Sequence, residues 1–298
     1  MWVRVLGAAA GGGFPQWNCH CLNCSRLRLG TLHGRARSQA QAAVSSDGCS
    51  WHLLNASPDL RQQIQNSSFL WPSEGARCSP IRSVILTGAE IDAVVGLLSL
   101  REFQTFTVYS TRGVQEILLR ENILFHALQR VPNQVKWCAF SSGGVFQPDP
   151  GLCVHAIPLR GGYPSFVRAT GAPEEAAVGL ALGNGGGRLL FLPGVGEITD
   201  DLMEWMEQSD VLLFDGTFWS DDELIRVQQG VGTARQMNHV PMSGPGGSLE
   251  ILSGLKRPRK IFMHINNTNP VLDEDSPEHR AVIDQGWELA FDGMEFQL

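Results

Sequence analysis

Residues 83–102 constrain the fold of this chain more than any other stretch. The apolar and β-branched run 84–86 is broken by Gly88, and apolar residues then recur over 91–100 at the spacing of a buried helix. This pattern predicts a strand that enters a helix through a tight turn. Asp92 lies in that turn, where a carboxylate can cap the helix or face the space beyond the carboxyl end of the strand. The stretch therefore predicts an α/β fold with a carboxylate at one edge of a sheet.

The same turn resembles the second motif of the metallo-β-lactamase superfamily, which usually reads Thr-His-x-His-x-Asp-His followed by Gly-Leu-Leu. In this chain the four ligand positions of the motif are Gly88, Glu90, Asp92 and Ala93. Gly88 and Ala93 carry no donor atom in their side chains, so a histidine-rich cage for two zinc ions cannot be built here. The motif therefore argues against a hydrolase of phosphodiesters or lactams.

Composition limits the other classes of function. The chain has 298 residues, of which 43% are hydrophobic and 18% charged, so it can bury a large core as one domain or two. The net charge of -7 and the absence of a basic stripe exclude nucleic acid as a partner. No apolar run approaches the ~20 residues of a spanning helix, which predicts no membrane segment and a cytoplasmic location.

A cysteine cluster gives the strongest local signal. Cys21 and Cys24 form a C-x-x-C pair that can wrap a tetrahedral metal ion, and Cys19 can supply a third thiolate. We expect structural zinc, with the fourth ligand left open among His20, His33 and a more distant histidine or aspartate. The alternatives are a redox pair or reduced packing cysteines. A thioredoxin-type pair opens a helix after a strand, whereas these cysteines are predicted to lie in a loop.

A second group of donors follows in the C-terminal half. Asp215 ends the apolar strand 210–215, His264 ends the strand 260–264, and His239 lies between them in a segment with proline and glycine. Each histidine alone is better explained as a structural residue. Together, carboxylates and histidines at successive strand ends are what a metal site or a general acid–base site requires.

The remaining pattern predicts helices and a terminal hairpin. Helices are expected at 60–65, 112–128 and 276–285, and residues 287–296 are expected to form a hairpin that turns at Asp292 and Gly293.

Six blocks of sequence, in order and spread over nearly the whole chain, resemble the pyrroloquinoline quinone (PQQ) synthesis protein B family. The blocks are 11–19, 55–64, 90–102, 214–219, 239–244 and 264–272. The resemblance implies a metallo-β-lactamase-like αββα sandwich in a single domain, 1–298. It also implies an iron-dependent oxygenase that hydroxylates the tyrosine ring of the cross-linked glutamate–tyrosine precursor of PQQ. Its partners would be this small precursor and dioxygen.

Such an oxygenase fits the residues better than a hydrolase does. Non-haem iron(II) that binds dioxygen and substrate is often held by two imidazoles and one carboxylate. Asp92 with His264 and either His239 or Asp215 would make this set. The family carries histidine directly after Ile91 and Asp92, whereas this chain has Ala93. Either the remaining ligands suffice, or the chain is an inactivated member whose zinc site and fold persist.

The rival interpretation is a non-catalytic carrier for PQQ or its precursor, because the family has also been described as helping to carry PQQ out of the cell. In a carrier, His239, His264 and arginines such as Arg160 would pair with the carboxylates of the ligand. Ala93 slightly favours this interpretation. The sequence leaves a homodimer open.

Overall fold

The computed structural model describes residues 1–167, 171–227 and 231–298. The chain divides into two compact units. Unit 1 contains Met1–Leu6, Gln41–Gly187 and Gly293–Leu298, and unit 2 contains Gly7–Ala40 and Arg188–Asp292.

The described residues form strands and helices in alternation. The strands are β1 (Trp2–Gly7), β2 (Gln41–Ser45), β3 (Trp51–Leu54), β4 (Ile81–Ile85), β5 (Phe106–Thr111), β6 (Val135–Phe140), β7 (Val145–Asp149), β8 (Leu152–Pro158), β9 (Val178–Gly183), β10 (Arg188–Leu192), β11 (Val211–Asp215), β12 (Arg259–Met263), β13 (Trp287–Leu289) and β14 (Glu295–Gln297). The α-helices are α1 (Leu22–Arg28), α2 (Leu60–Gln65), α3 (Ile91–Val94), α4 (Arg112–Glu116), α5 (Asp200–Glu207), α6 (Glu223–Val227), α7 (Ser248–Ile251) and α8 (Pro277–Asp284).

Unit 1 contains a sheet with the strand order β14-β1-β2-β3-β4-β5-β6. Its β3, β4, β5 and β6 run parallel, whereas β14 pairs antiparallel with β1 and β2 with β3. Strands β7, β8 and β9 pair antiparallel in the same unit. Buried apolar side chains on β3, β4 and α3 form a core with the helices that follow, and each fully buried Leu or Val contributes about 1.5–3 kcal/mol.

Residues 83–102 form the predicted strand and helix, joined by a tight turn. Strand β4 leads into α3, and a 3₁₀ helix continues over Val95–Leu100. Gly96 donates its N–H to the carbonyl of Ala56 at 2.8 Å, and a side chain on Gly96 would collide with the backbone oxygen of Ser57. The glycine of the Gly-Leu-Leu sequence therefore lets the helix approach the backbone of the neighbouring loop.

Unit 2 is built on four parallel strands. Strands β10, β11, β12 and β13 pair parallel in sequence order. Every residue of β11 is buried, as is typical of parallel strands that are covered on both faces. Phe214, Phe262 and Trp287 pack as an aromatic cluster on these strands, with the rings of Phe262 and Trp287 stacked at 4.0 Å. The carboxyl ends of β11 and β12 therefore lie side by side in a closely packed part of the sheet.

Three sequence predictions were wrong. Strands β13 and β14 do not form a hairpin, because β13 pairs with β12 and β14 pairs with β1. The helix expected over 112–128 is interrupted, since α4 continues as a π turn, and Asn122 then caps a new 3₁₀ segment. The cysteine cluster is not confined to a loop, because α1 begins at Leu22, immediately after Cys21.

Within the described ranges, no helix is both long and apolar enough to cross a membrane.

Candidate metal centre

Three donor residues meet in unit 2, at the carboxyl edge of the parallel strands. Asp215 is the last residue of β11, His264 follows β12, and His239 follows the 3₁₀ turn Arg235–Met237. One donor atom from each of the three lies within 4.8 Å of the others. The structure thus brings together the second group of donors that the sequence indicated.

Asp215 is fully buried, and both of its oxygens accept two hydrogen bonds. Oδ2 accepts from the N–H of Val195 at 2.8 Å and from Nδ1 of His239 at 2.7 Å. Oδ1 accepts from the N–H of Thr217 at 3.0 Å and from its hydroxyl at 2.6 Å. Burial opposes ionisation, but the nearby histidines and the bonds from His239 and Thr217 outweigh it and lower the pKa of Asp215. Asp215 is therefore an ionised residue that holds its neighbours in place.

Thr217 extends this network to the second imidazole. Its Oγ1 lies 2.8 Å from Nδ1 of His264. Because the single hydroxyl hydrogen goes to Asp215, the oxygen accepts the Nδ1–H of His264. His239 likewise gives its Nδ1–H to Asp215. The hydrogen-bond network thus assigns the proton to Nδ1 in both rings, so that Nε2 is the nitrogen of each ring with a lone pair suited to bind a metal ion.

The backbone places the ring of His264 with some strain. His264 has a φ of 56°, a left-handed conformation that is unusual for a residue other than glycine. Outliers of this kind are concentrated at functional sites. His239 is held by the bond from its N–H to the carbonyl of Ala234 at 2.9 Å. The two rings lie 5.6 Å apart and 21° from parallel.

Gly216 allows the close packing between these residues. A Cβ at this position would lie 2.8 Å from Cε of Met242 and 2.9 Å from Cβ of Phe262. A side chain here would push the turn away from the sheet and would displace Asp215 and Thr217 with it.

The three predicted cysteines also come together in unit 2. Sulfur atoms of Cys19, Cys21 and Cys24 lie within 4.8 Å of one another. Burial raises the pKa of Cys21 to about 12. Burial acts in the same sense on Cys19, but hydrogen bonds led by that from the backbone of Cys21 outweigh it and lower the pKa of Cys19. Three adjacent thiolates require a cation, so the donor set suits zinc.

The fourth partner of this cluster is a residue that sequence reasoning missed. The side-chain amide of Asn267 lies 3.1 Å from Sγ of Cys19, 3.4 Å from Cys24 and 3.6 Å from Cys21. His20 instead contacts Ser25, and His33 contacts Asp275. The signal that could have identified Asn267 and Thr217 is their position within the family-like blocks 264–272 and 214–219.

Asp92 lies in the first turn of α3, in unit 1, and is half-buried. It is not a member of the Asp215–His239–His264 group. Its assignment as an iron ligand and catalytic residue stays a prediction. The neighbouring Ala93 is buried in the apolar core of unit 1.

A second carboxylate–histidine pair, with a buried histidine, lies in unit 1. His52 bonds through Nδ1 to Oγ of Ser83 at 2.8 Å and through Nε2 to Oδ2 of Asp149 at 2.6 Å. His52 is 1% exposed and Ser83 2% exposed. Burial lowers the pKa of His52, although Asp149 opposes this shift. The group joins β3, β4 and β7.

Comparisons with known proteins identify the family. A family model described as a β-lactamase superfamily domain matches residues 50–265. Coenzyme PQQ synthesis protein B of Pseudomonas putida (strain GB-1) is 43% identical over 303 residues, which cover 100% of both chains. The chain belongs to the coenzyme PQQ synthesis protein B family. The crystal structure of Zn²⁺-bound PqqB from Methylobacterium extorquens superimposes with a TM-score of 0.94 and 43% identity, over 100% of both chains.

These matches confirm the predicted family and its metallo-β-lactamase-like α/β fold, the αββα sandwich. A diphosphatase of the PhnP family shares the fold at a TM-score of 0.67 but is only 19% identical. That likeness extends to the fold alone, so the activity must be argued from the site of this chain.

Proposed function

We propose that the chain acts in PQQ synthesis as an iron-dependent oxygenase, which hydroxylates the tyrosine ring of the cross-linked glutamate–tyrosine precursor. The observation that carries this proposal is the arrangement of His239 and His264 around Asp215. Two imidazoles that are each fixed through Nδ1 by a hydrogen bond are the preorganised ligands that a metal ion needs. The names and full-length similarity of the relatives support the pathway.

The donor set fits iron(II) better than a pair of zinc ions. In our proposal Nε2 of His239 and Nε2 of His264 bind the iron, and Asp215 orients both rings because its oxygens are already fully hydrogen-bonded. Few protein ligands leave coordination positions for dioxygen and substrate. When bound, iron(II) would activate dioxygen for hydroxylation of the ring, in which one oxygen atom enters the product and the other leaves as water with two electrons and two protons from an external reductant.

The other groups of the site act by position and charge. The negative charge of Asp215 polarises the hydroxyl of Thr217, which in turn accepts the Nδ1–H of His264. Asp215 therefore makes both imidazoles more basic ligands, His239 directly and His264 through Thr217. The backbone N–H of Val195 and that of Thr217 hold the carboxylate in one orientation. We further propose that Cys19, Cys21 and Cys24 hold a structural zinc ion, which the Zn²⁺-bound relative supports.

The test is an anaerobic iron(II) titration followed by oxygen uptake with the cross-linked precursor. His239→Ala and His264→Ala should each lose iron binding and precursor-dependent oxygen uptake. His126→Ala, an exposed histidine of unit 1, should keep both. Asp92→Ala examines the predicted carboxylate ligand separately. Oxygen uptake that persists without both imidazoles would refute the oxygenase proposal.

A carrier for PQQ or its precursor is the second candidate, because Ala93 replaces a histidine of the family motif. A carrier binds PQQ or the precursor at one molecule per chain without oxygen uptake. It retains this binding when iron is withheld, and His239→Ala and His264→Ala weaken it.

A further inference from the structure

The imidazole pair and the cysteine cluster share one short segment of chain. His264 begins this segment, and Asn267 lies three residues later with its amide against the three sulfur atoms. Between them the N–H of Asn266 donates to the carbonyl of Thr217 at 3.0 Å. The segment 264–269 therefore contacts both groups of donors within unit 2.

Two more asparagines fix this segment at both sides. The amide of Asn23, in α1 beside Cys24, donates to the carbonyls of Asn267 at 3.2 Å and Asn269 at 2.9 Å. The amide of Asn269 donates to the carbonyl of Gly216 at 3.1 Å. Asn23, Asn267 and Asn269 are 8%, 4% and 0% exposed, so water does not compete for these bonds.

The position of His264 depends on this segment. Its left-handed φ of 56° is strained, and such a conformation persists only where the surrounding structure enforces it. The bonds that enforce it on the C-terminal side come from the cysteine loop through Asn23 and Asn267 and from the 216–217 turn through Asn269. Release of the cysteine loop therefore removes part of the restraint on His264.

We propose that Asn267 is a positioning residue that couples the cysteine cluster to the imidazole pair, so that zinc held by the cysteines raises the affinity of His239 and His264 for iron(II). This inference rests on the proposed iron site. Zinc draws Cys19, Cys21 and Cys24 together, the packed sulfurs fix the amide of Asn267, and the backbone then holds His264 where Thr217 can accept its Nδ1–H. By linkage, iron(II) raises the affinity for zinc by the same factor.

The experiment compares protein with one equivalent of zinc and zinc-free reduced protein. Anaerobic equilibrium dialysis gives the iron(II) dissociation constant of each form, and NMR of ¹⁵N-labelled histidine reports Nδ1 and Nε2 of His264 without iron. In the chain as given, zinc should tighten iron(II) binding about tenfold and shift the His264 signals. Asn267→Ser should still bind one zinc ion, but zinc should change neither the iron affinity nor the His264 signals.

Controls separate coupling from general damage. Asn18→Ala removes an exposed amide of the same loop and should preserve the zinc effect. Asn23→Ala leaves the Asn267 amide in place but removes the bond that Asn23 donates to its carbonyl, so it should reduce the zinc effect. This variant replaces Asn267→Ser as the test if Asn267→Ser does not fold. An undiminished zinc effect in folded, zinc-loaded Asn267→Ser would overturn the proposal, as would the lack of any zinc effect in the chain as given.

The two proposals fail in different ways. If His239→Ala leaves iron(II) affinity unchanged, iron binds elsewhere and the oxygenase proposal is wrong. The His264 signals still decide the coupling in that case, because a zinc-dependent shift that Asn267→Ser abolishes requires no iron.

Discussion

Asp215→Asn tests the central feature of the candidate metal centre. The substitution keeps the shape of the side chain but replaces one accepting oxygen by an NH₂ group. If the NH₂ takes the place of Oδ2, it faces the N–H of Val195, which cannot change its role, and Nδ1 of His239, which can. His239 would then carry its proton on Nε2 and lose the lone pair that binds metal. If the NH₂ takes the place of Oδ1, it faces the N–H of Thr217, which cannot change its role, and the hydroxyl of Thr217, which can. The hydroxyl would then donate to Nδ1 of His264, and His264 would carry its proton on Nε2.

The size of the effect follows from the bonds that are lost. In either orientation one buried backbone N–H is left without an acceptor, which costs about 1–3 kcal/mol. The lowered pKa of Asp215 shows that the site favours the charged form despite burial, so the neutral amide gains little from easier desolvation. Loss of an orienting carboxylate behind a ligating histidine typically weakens metal binding about 10–100-fold.

Urea unfolding of the metal-free protein measures the first effect, and iron(II) titration with ¹⁵N-histidine NMR measures the second. Asp210→Asn is the matched control, because Asp210 immediately precedes β11 and also accepts a backbone N–H, that of Arg188, but is partly exposed. The control should lose less than about 1 kcal/mol and keep its metal affinity. Unchanged histidine tautomers and iron affinity in Asp215→Asn would refute the role assigned to Asp215.

Three further predictions concern other parts of the chain. Cys24→Ser should lower the zinc content, and at a zinc concentration about 100 times the dissociation constant it should lower the free energy of unfolding by about 2.7 kcal/mol. Cys49→Ser, at an exposed cysteine, should change neither quantity. Full zinc retention in Cys24→Ser by elemental analysis would contradict the cysteine site. Burial raises the pKa of Glu223 from 4.5 to about 7, so its contribution to stability is fully present below pH 4.5 and is lost as the pH rises through 7, by about 3 kcal/mol. Glu223→Gln should flatten this decline in urea unfolding between pH 4 and pH 8, and an unchanged slope would exclude Glu223 as its source. Gly96→Ala should lower the free energy of unfolding by about 1–3 kcal/mol in thermal unfolding, because the added Cβ meets backbone atoms. Gly254→Ala should be tolerated, because no atom lies within 4 Å of its added Cβ. Equal effects of the two substitutions would contradict the packing at Gly96.

Local periodicity predicted the local structure well. Helix α2 has the predicted bounds, because its apolar residues repeat at the spacing of one element. The strand and the helix around Asp92 were likewise predicted correctly, because Gly88 interrupts the run of apolar residues between them. These features depend on neighbours within a few residues.

The errors and omissions involve contacts between distant residues. The turn at Asp292 and Gly293 was recognised, but the strands on either side find better partners elsewhere in the sheets. The amide of Asn267 lies against cysteines 243 or more residues earlier in the chain, a separation at which no spacing rule applies. Asp215 and His264 could be grouped because parallel strands bring their carboxyl ends to one edge, whereas Thr217 could be identified only from its position in the family-like block 214–219.

The buried histidine of unit 1 has a consequence for chemical labelling. Ser83, His52 and Asp149 are the residue types of a serine hydrolase triad and are joined by hydrogen bonds. Yet the hydroxyl lies inside the protein, and the imidazole contacts it through Nδ1, whereas a serine protease uses Nε2. Fluorophosphonate reagents, which react with accessible activated serines, should therefore leave Ser83 unmodified in the folded chain, and labelling at Ser83 should report only unfolded protein.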